Sequence, residues 1–404
     1  MEEQKTSLIH IITGLEVGGA EMMLCRFLEH ADQSRFHHTV VSLKGEGKLG
    51  AQLTKSGIPL ISLGLNHPLR AIPGMARLVK ILRQQQPDLV QMWLTHASLL
   101  GSLACLLAGI RSIVWTIHTG NQDESRVKPS IRWMTKLLAK ASHWLPRIIV
   151  SCSETAKARH ESLGYRSEKI IVIPNGTDPV AYQPYREEAA QLLNELGIPN
   201  GEPAIGIVGR WTPEKDHQTF FEAALKIQER LPEVHFLICG PEMEPTDERV
   251  AGFLSRSQLP EHFHFLGSRS DMPLLYAGMK LLALTSVSEG FPLVLGEAMA
   301  CETPCVATRV GDCEQIVGDT GVITEIEDPS AISLAWEKIL TLNSADYQKL
   351  SEQARRRIID HFSIQECVTS YERLYRELAT APSRNCEPSP LVPNETPVTH
   401  IHRH

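Results

Sequence analysis

The chain has 404 residues, 42% of them hydrophobic, with 40 basic and 47 acidic side chains giving a net charge of −7. That length exceeds one ordinary domain and suits two, the apolar content is ample for packed cores, and the acidic balance gives no support to a nucleic-acid partner. Nine cysteines, an odd number without CxxC spacing, point to small core residues in a reducing compartment rather than to disulfides or structural zinc.

The amino terminus, MEEQKTSLIHIITG, has no basic segment followed by a long apolar core, so no secretory signal is expected. Short apolar runs then alternate with amphipathic stretches. The runs are LIHII (8–12), HTVVSL (38–43), LVQMW (89–93), SIVWTIH (112–118) and RIIVSC (147–152). This rhythm predicts a mostly parallel sheet with helices on both faces. The apolar stretch 99–110 contains Gly, Ser and Cys and is too short to span a bilayer.

Gly18 and Gly19 follow the first run and open a helix. Paired glycines there let backbone N–H groups approach an anion, although the same pair also serves a plain strand-to-helix turn. No GxGxxG is present, which counts against a dinucleotide oxidoreductase. His118 ends a predicted strand, where a polar side chain faces the crevice of such a sheet and could bond a sugar hydroxyl. Between Arg126 and Arg147 the chain carries no Asp or Glu, and Arg132, Lys136 and Lys140 recur every four residues beside Trp133, Leu137 and Trp144. That pattern suits a helix lying on an anionic membrane surface, or a solvated helix packing its apolar side inward.

The turn cluster Pro174-Asn175-Gly176-Thr177-Asp178 breaks the rhythm, which restarts as AIGIVG (204–209), HFLICG (235–240), HFHFLG (262–267), LLALTS (281–286) and PCVAT (304–308). Two doubly wound domains are expected, residues 1–180 and 181–363. A helix over 364–378 follows them, then a Pro- and His-rich tail, 381–404, that cannot bury a core. Arg210 and Lys215 lie just after the first run of the second half. Two cations five apart at a strand's carboxyl end suit a diphosphate, and a surface ion pair of Lys215 with Glu214 or Asp216 is the plain alternative. In SEGFPLVLGEAMA, Glu289 stands in a loop after an apolar run and Glu297 in the following helix. Carboxylates at that edge suit the vicinal hydroxyls of a sugar or ribose. Gly290 lets a ligand approach the backbone, and Phe291-Pro292 stiffens the start of the helix.

Taken in order, GGAE (18–21), the His118 strand end, VIPNGTD (172–178), GRWTPEK (209–215), FLG (265–267) and EGFPLVLGE (289–297) resemble the GT-B retaining glycosyltransferases of family GT4. The segments 92–101 and TPEKDH look like bacterial members that build capsular or exopolysaccharide chains. The resemblance covers nearly the whole chain and implies two Rossmann-like domains facing a cleft, with the last helix crossing back onto the first. It implies a nucleotide-sugar donor, UDP- or GDP-linked, and a glycan or lipid-linked acceptor. It also implies a cytoplasmic enzyme, with peripheral membrane contact through 126–147, that needs no cofactor and no metal. Carried over, the catalytic set is Glu289, His118, Arg210 and Lys215. Glu289 and the Gly290-Phe291-Pro292 backbone would hold the sugar, Glu297 the ribose, Arg210 and Lys215 the diphosphate, and Gly18-Gly19 the donor phosphate. A glycine-rich run usual near the fourth motif is reduced to Cys239-Gly240-Pro241. A hydrolysing nucleotide-sugar epimerase and a non-catalytic polysaccharide-assembly protein are the rival expectations.

Overall fold

A computed structural model describes residues 5–67, 71–118, 120, 128–241 and 243–380. The tail 381–404 and positions 126 and 127 of the basic segment lie outside the described residues. Seven strands form the first sheet: β1 (Thr6–Ile12), β2 (Phe36–Ser42), β3 (Leu60–Ser62), β4 (Leu89–Trp93), β5 (Ile113–Ile117), β6 (Ile148–Ser151) and β7 (Ile170–Val172). All pair in parallel, in the order β3-β2-β1-β4-β5-β6-β7. Six make the second: β8 (Ala204–Val208), β9 (His235–Cys239), β10 (Phe263–Gly267), β11 (Leu281–Leu284), β12 (Cys305–Thr308) and β13 (Val322–Thr324). They too are parallel, in the order β10-β9-β8-β11-β12-β13. The protein is thus an α/β molecule of two Rossmann-like units.

The strands read as unbroken apolar runs because helices cover both faces of each sheet; every residue of β4, β5 and β9 is buried. Two core clusters sandwich each sheet. β3, β7 and β13 have three residues each, too short to show a pattern in sequence. In both sheets the strand order reverses beside the first strand, at β1/β4 and β8/β11. Crevices outside the carboxyl ends of the strands open at such points.

The chain crosses between the units twice at one place. Thr177 N donates to Phe362 O at 2.8 Å, and Ile364 N donates to Thr177 O at 2.8 Å. Gly176 permits this crossing, since a Cβ there would lie 2.5 Å from Ile364 Cα. The last helix, Ile364–Thr380, then buries Ile364, Val368, Tyr371, Tyr375 and Leu378 in the core of the first sheet. Tyr375 OH bonds Gln91 in β4, and Arg147 donates to Leu378 O at 2.7 Å. The eight described cysteines are all buried and free.

Candidate active site

The loop after β8 carries Arg210 and Lys215 and is held from several sides. Thr285 Oγ1 donates to the carbonyls of Lys215 (3.1 Å) and Asp216 (2.9 Å), and Val287 N donates to Glu214 O at 2.8 Å. Asp216 takes left-handed backbone angles and caps the helix His217–Gln228 through Thr219 N. Trp211 stacks on His217 at 4.9 Å, with the Arg249 guanidinium 4.8 Å from the indole. These ties fix a loop that would otherwise wander, and they aim Lys215 at Glu289.

Lys215 Nζ donates to Glu289 Oε1 at 2.6 Å, and Ser286 Oγ donates to the same oxygen at 2.7 Å. Lys215 therefore pairs with neither Glu214 nor Asp216 but across 74 residues of chain. Ammonium and carboxylate are both largely shielded, so their attraction is stronger than that of a surface pair. Arg210, on the same loop, is exposed. Its charge reaches Glu21 of the helix Gly19–His30, whose carboxyl is raised by burial and partly restored by Arg210.

That helix brings the first unit to the site. Gly18 is its extended N-cap, and the space where a Gly19 side chain would stand is open. His118 follows β5, stacks on Trp93 at 5.2 Å, and has both ring nitrogens buried without a partner among the described residues. Burial pushes its imidazole down to about 4, so it is neutral at pH 7, with one N–H and one lone pair uncommitted. Buried polar atoms are nearly always bonded, so these two nitrogens call for a partner that the described residues do not supply. A small cavity beside it is lined by Thr95, Ser98, Trp115, Thr116, His160 and Tyr165.

The two units touch at the loop that carries Glu289 and Gly290. A Cβ on Gly120 would lie 1.6 Å from Glu289 O, and one on Gly290 would lie 3.1 Å from His118 O. Asp312 N donates to Gly290 O at 3.0 Å, while its carboxylate accepts from Glu154 N (2.9 Å) and Thr155 N (3.0 Å) at the start of the helix Glu154–Ser162. Pro292 is the N-cap of the helix Leu293–Ala300. Phe291 is buried, its ring centre 5.6 Å from that of Phe362, so its side chain is committed to the core.

Glu297 keeps different company from Glu289. It is 5% exposed, one oxygen accepts from Tyr276 OH at 2.8 Å, and the other is ion-paired with Arg26 of the helix Gly19–His30. The sequence reading missed Arg26, Tyr276, Asp312 and Gly120. Arg26 had one visible signal, a lone charge among Ala20, Met23, Leu24, Phe27 and Leu28, all buried. The others carry no local mark, because their partners lie far away in the chain.

Residues 189–357 match the family described as glycosyl transferases group 1, and residues 17–180 match glycosyltransferase family 4. The chain is a group 1 glycosyltransferase of the GT-B fold. The glycosyltransferase is 25% identical over 323 residues to the Escherichia coli UDP-Gal:alpha-D-GlcNAc-diphosphoundecaprenol alpha-1,3-galactosyltransferase, covering 77% of this chain and 80% of that protein. It is 26% identical over 276 residues to the Bacillus anthracis N-acetyl-alpha-D-glucosaminyl L-malate synthase, covering 66% of this chain and 68% of that one. Among solved structures, Anabaena HepE in complex with UDP superposes with a TM-score of 0.80 at 20% identity, over 92% of this chain and 100% of that one.

Buried histidines give the glycosyltransferase a pH signature. His38, His118, His160 and His217 are held down to about 4 by burial, against an ordinary 6.5. Between those values the unfolded chain binds more protons than the fold, so stability falls as pH falls. Calorimetric melting temperature should decline steadily from about pH 7 to about pH 4.5. A flat profile over that window would show that these rings do not control acid stability.

Proposed function

We propose that this enzyme, which uses a nucleotide-sugar donor, transfers a hexosyl unit with retention at the anomeric carbon to a hydroxyl of a lipid-linked glycan, in cell-surface polysaccharide assembly. The observation that carries this reading is the Lys215–Glu289–Ser286 cluster at the edge of the second sheet, approached by the backbone of His118, whose ring nitrogens have no partner among the described residues. In the transfer, the bond from the anomeric carbon to the diphosphate oxygen breaks and a bond to the acceptor oxygen forms on the same face. The acceptor's proton passes to the departing diphosphate. Charge grows on that diphosphate, where Arg210, Lys215 and the helix N-terminus at Gly18-Gly19 can stabilise it. Glu289, set by Lys215 and Ser286, accepts from sugar hydroxyls, and His118 bonds another. Closure of the two units excludes water and limits hydrolysis.

A UDP-sugar is the favoured donor over a GDP-sugar. The E. coli relative is named for UDP-Gal, and HepE has been solved with UDP and with UDP-glucose. The two cations take the place a divalent ion would fill, so turnover should survive EDTA. The test is incubation of the purified protein with UDP- and GDP-sugars and lipid-linked acceptors. Glycosylated lipid with the donor's anomeric configuration is expected. Release of free nucleoside diphosphate with acceptor absent would favour an epimerase, and unchanged polymer output from Glu289→Ala would favour a non-catalytic assembly role.

Membrane contact belongs to the same reading. No helix among the described residues is long and apolar enough to cross a membrane. The helix Pro129–Ala141 leaves Arg132, Lys136 and Lys140 exposed beside Trp133 (64% exposed), and Trp144 (74%) follows it. Leu103, Leu106 and Leu107 of the helix Thr95–Ala108 are exposed as well. Exposed tryptophans and leucines beside cations suit an anionic lipid surface. Changing the three residues to glutamine should weaken binding to anionic vesicles by about two orders of magnitude, at about 1 kcal/mol per basic residue. Unchanged sedimentation with vesicles would remove this contact.

A further inference from the structure

The Arg26–Glu297 pair joins the two units through groups that are both buried. Arg26 Nη2 also donates to Tyr182 OH at 2.9 Å, and its guanidinium carbon lies 5.2 Å from the Tyr182 ring centre. Its Nη1 is buried with no hydrogen-bond partner among the described residues. Glu297 has Arg26 on one oxygen and Tyr276 OH on the other. Arg26 sits on the helix whose N-terminus is Gly18-Gly19, so one rigid element presents an anion-binding end and this cation to the second unit.

We infer that Arg26 governs donor affinity by occupying Glu297 across the cleft, so that a ribose diol must take this carboxylate from it. The inference rests on the reading of Glu297 as the ribose acceptor. The geometry makes a direct exchange possible. The carboxylate is the counter-ion of a buried guanidinium, and a diol offers it two O–H donors in place of one charged N–H. A buried ion pair stays closed unless something replaces it, because each separated charge would be left desolvated. The fraction of molecules with Glu297 free therefore scales the apparent affinity for any ribose-bearing ligand. Release of the product would run the exchange backwards, with Arg26 recapturing Glu297 as the nucleotide departs.

The experiment is calorimetric titration of UDP and GDP, each against its 2′,3′-dideoxy counterpart, into the full chain and into Arg26→Gln, Tyr182→Phe and Glu297→Gln variants, with melting curves for each. Arg26→Gln is expected to bind the ribonucleotide about tenfold more tightly, with the dideoxy affinity unchanged. Tyr182→Phe loosens Arg26 without removing it, so it should move the same way by a smaller factor and covers the case in which Arg26→Gln does not fold. Glu297→Gln should lose the preference for the ribonucleotide. If Glu297→Gln loses that preference while Arg26→Gln and Tyr182→Phe leave ribonucleotide affinity unchanged or weaker, Arg26 is a structural staple and the inference fails alone. If Glu297→Gln keeps the preference, the ribose reading of Glu297 fails and takes the inference with it.

Discussion

Lys215→Ala is expected to lower turnover by about two to three orders of magnitude while the protein stays folded. The ammonium does two things at once. It fixes Glu289 Oε1 at 2.6 Å, and it is a charge at the carboxyl edge of the second sheet where a departing diphosphate would lie. A cation placed in advance costs no reorganisation when charge develops, which is why its loss falls on turnover. Stability should change little. Lys215 is 28% exposed and Ser286 still donates to Glu289, so the pair contributes about 1 kcal/mol or less, against a total of about 5–15 kcal/mol for a typical domain. Steady-state kinetics with a melting curve checks this, and near-normal turnover would remove Lys215 from the chemistry.

Gly120→Ala should be nearly as damaging for a different reason. The added methyl carbon would lie 1.6 Å from Glu289 O and 2.2 Å from its carbonyl carbon. Both are backbone atoms, so no side-chain rotation relieves the overlap. Either the His118 loop or the Glu289 loop must retreat, or the two units must remain apart. A shift of about 1 Å at the reacting centre costs about a hundredfold in rate, so a loss of at least that size is expected. Nucleotide binding should weaken less than turnover, since three of its proposed contacts, Arg210, Lys215 and Glu297, belong to the second unit. Turnover close to that of the unaltered protein would mean that the contact between the loops is not part of the active arrangement.

The two substitutions divide what was legible in the chain from what was not. Lys215 could be picked out because a Pro-Glu-Lys-Asp turn after an apolar run marks a strand's carboxyl end. Gly120 could not, because a glycine before a loop looks the same whether it faces solvent or another domain. The same limit applies to the two glutamates. Their spacing of eight is plain in sequence, yet it does not say that Glu289 meets a lysine 74 residues earlier or that Glu297 meets an arginine 271 residues earlier. His118 could be placed at a strand end from its apolar neighbours. That Trp93 of β4 stacks on its ring, and that both its nitrogens are buried without a partner among the described residues, shows only in the fold.

By itself the sequence determined the two parallel α/β units, the break near Gly176 and the positions of the loops that carry chemistry. Those follow from short-range rules: apolar runs buried on both faces, turn residues, and helix starts. Only the tertiary structure decided which partner each charged group has. Arg26 holds Glu297, Lys215 holds Glu289, and Asp312 caps a helix of the opposite unit. Such pairs are set by how two independently wound sheets are clamped together by the chain crossing at Thr177 and Ile364, and no local pattern encodes a contact made across a cleft.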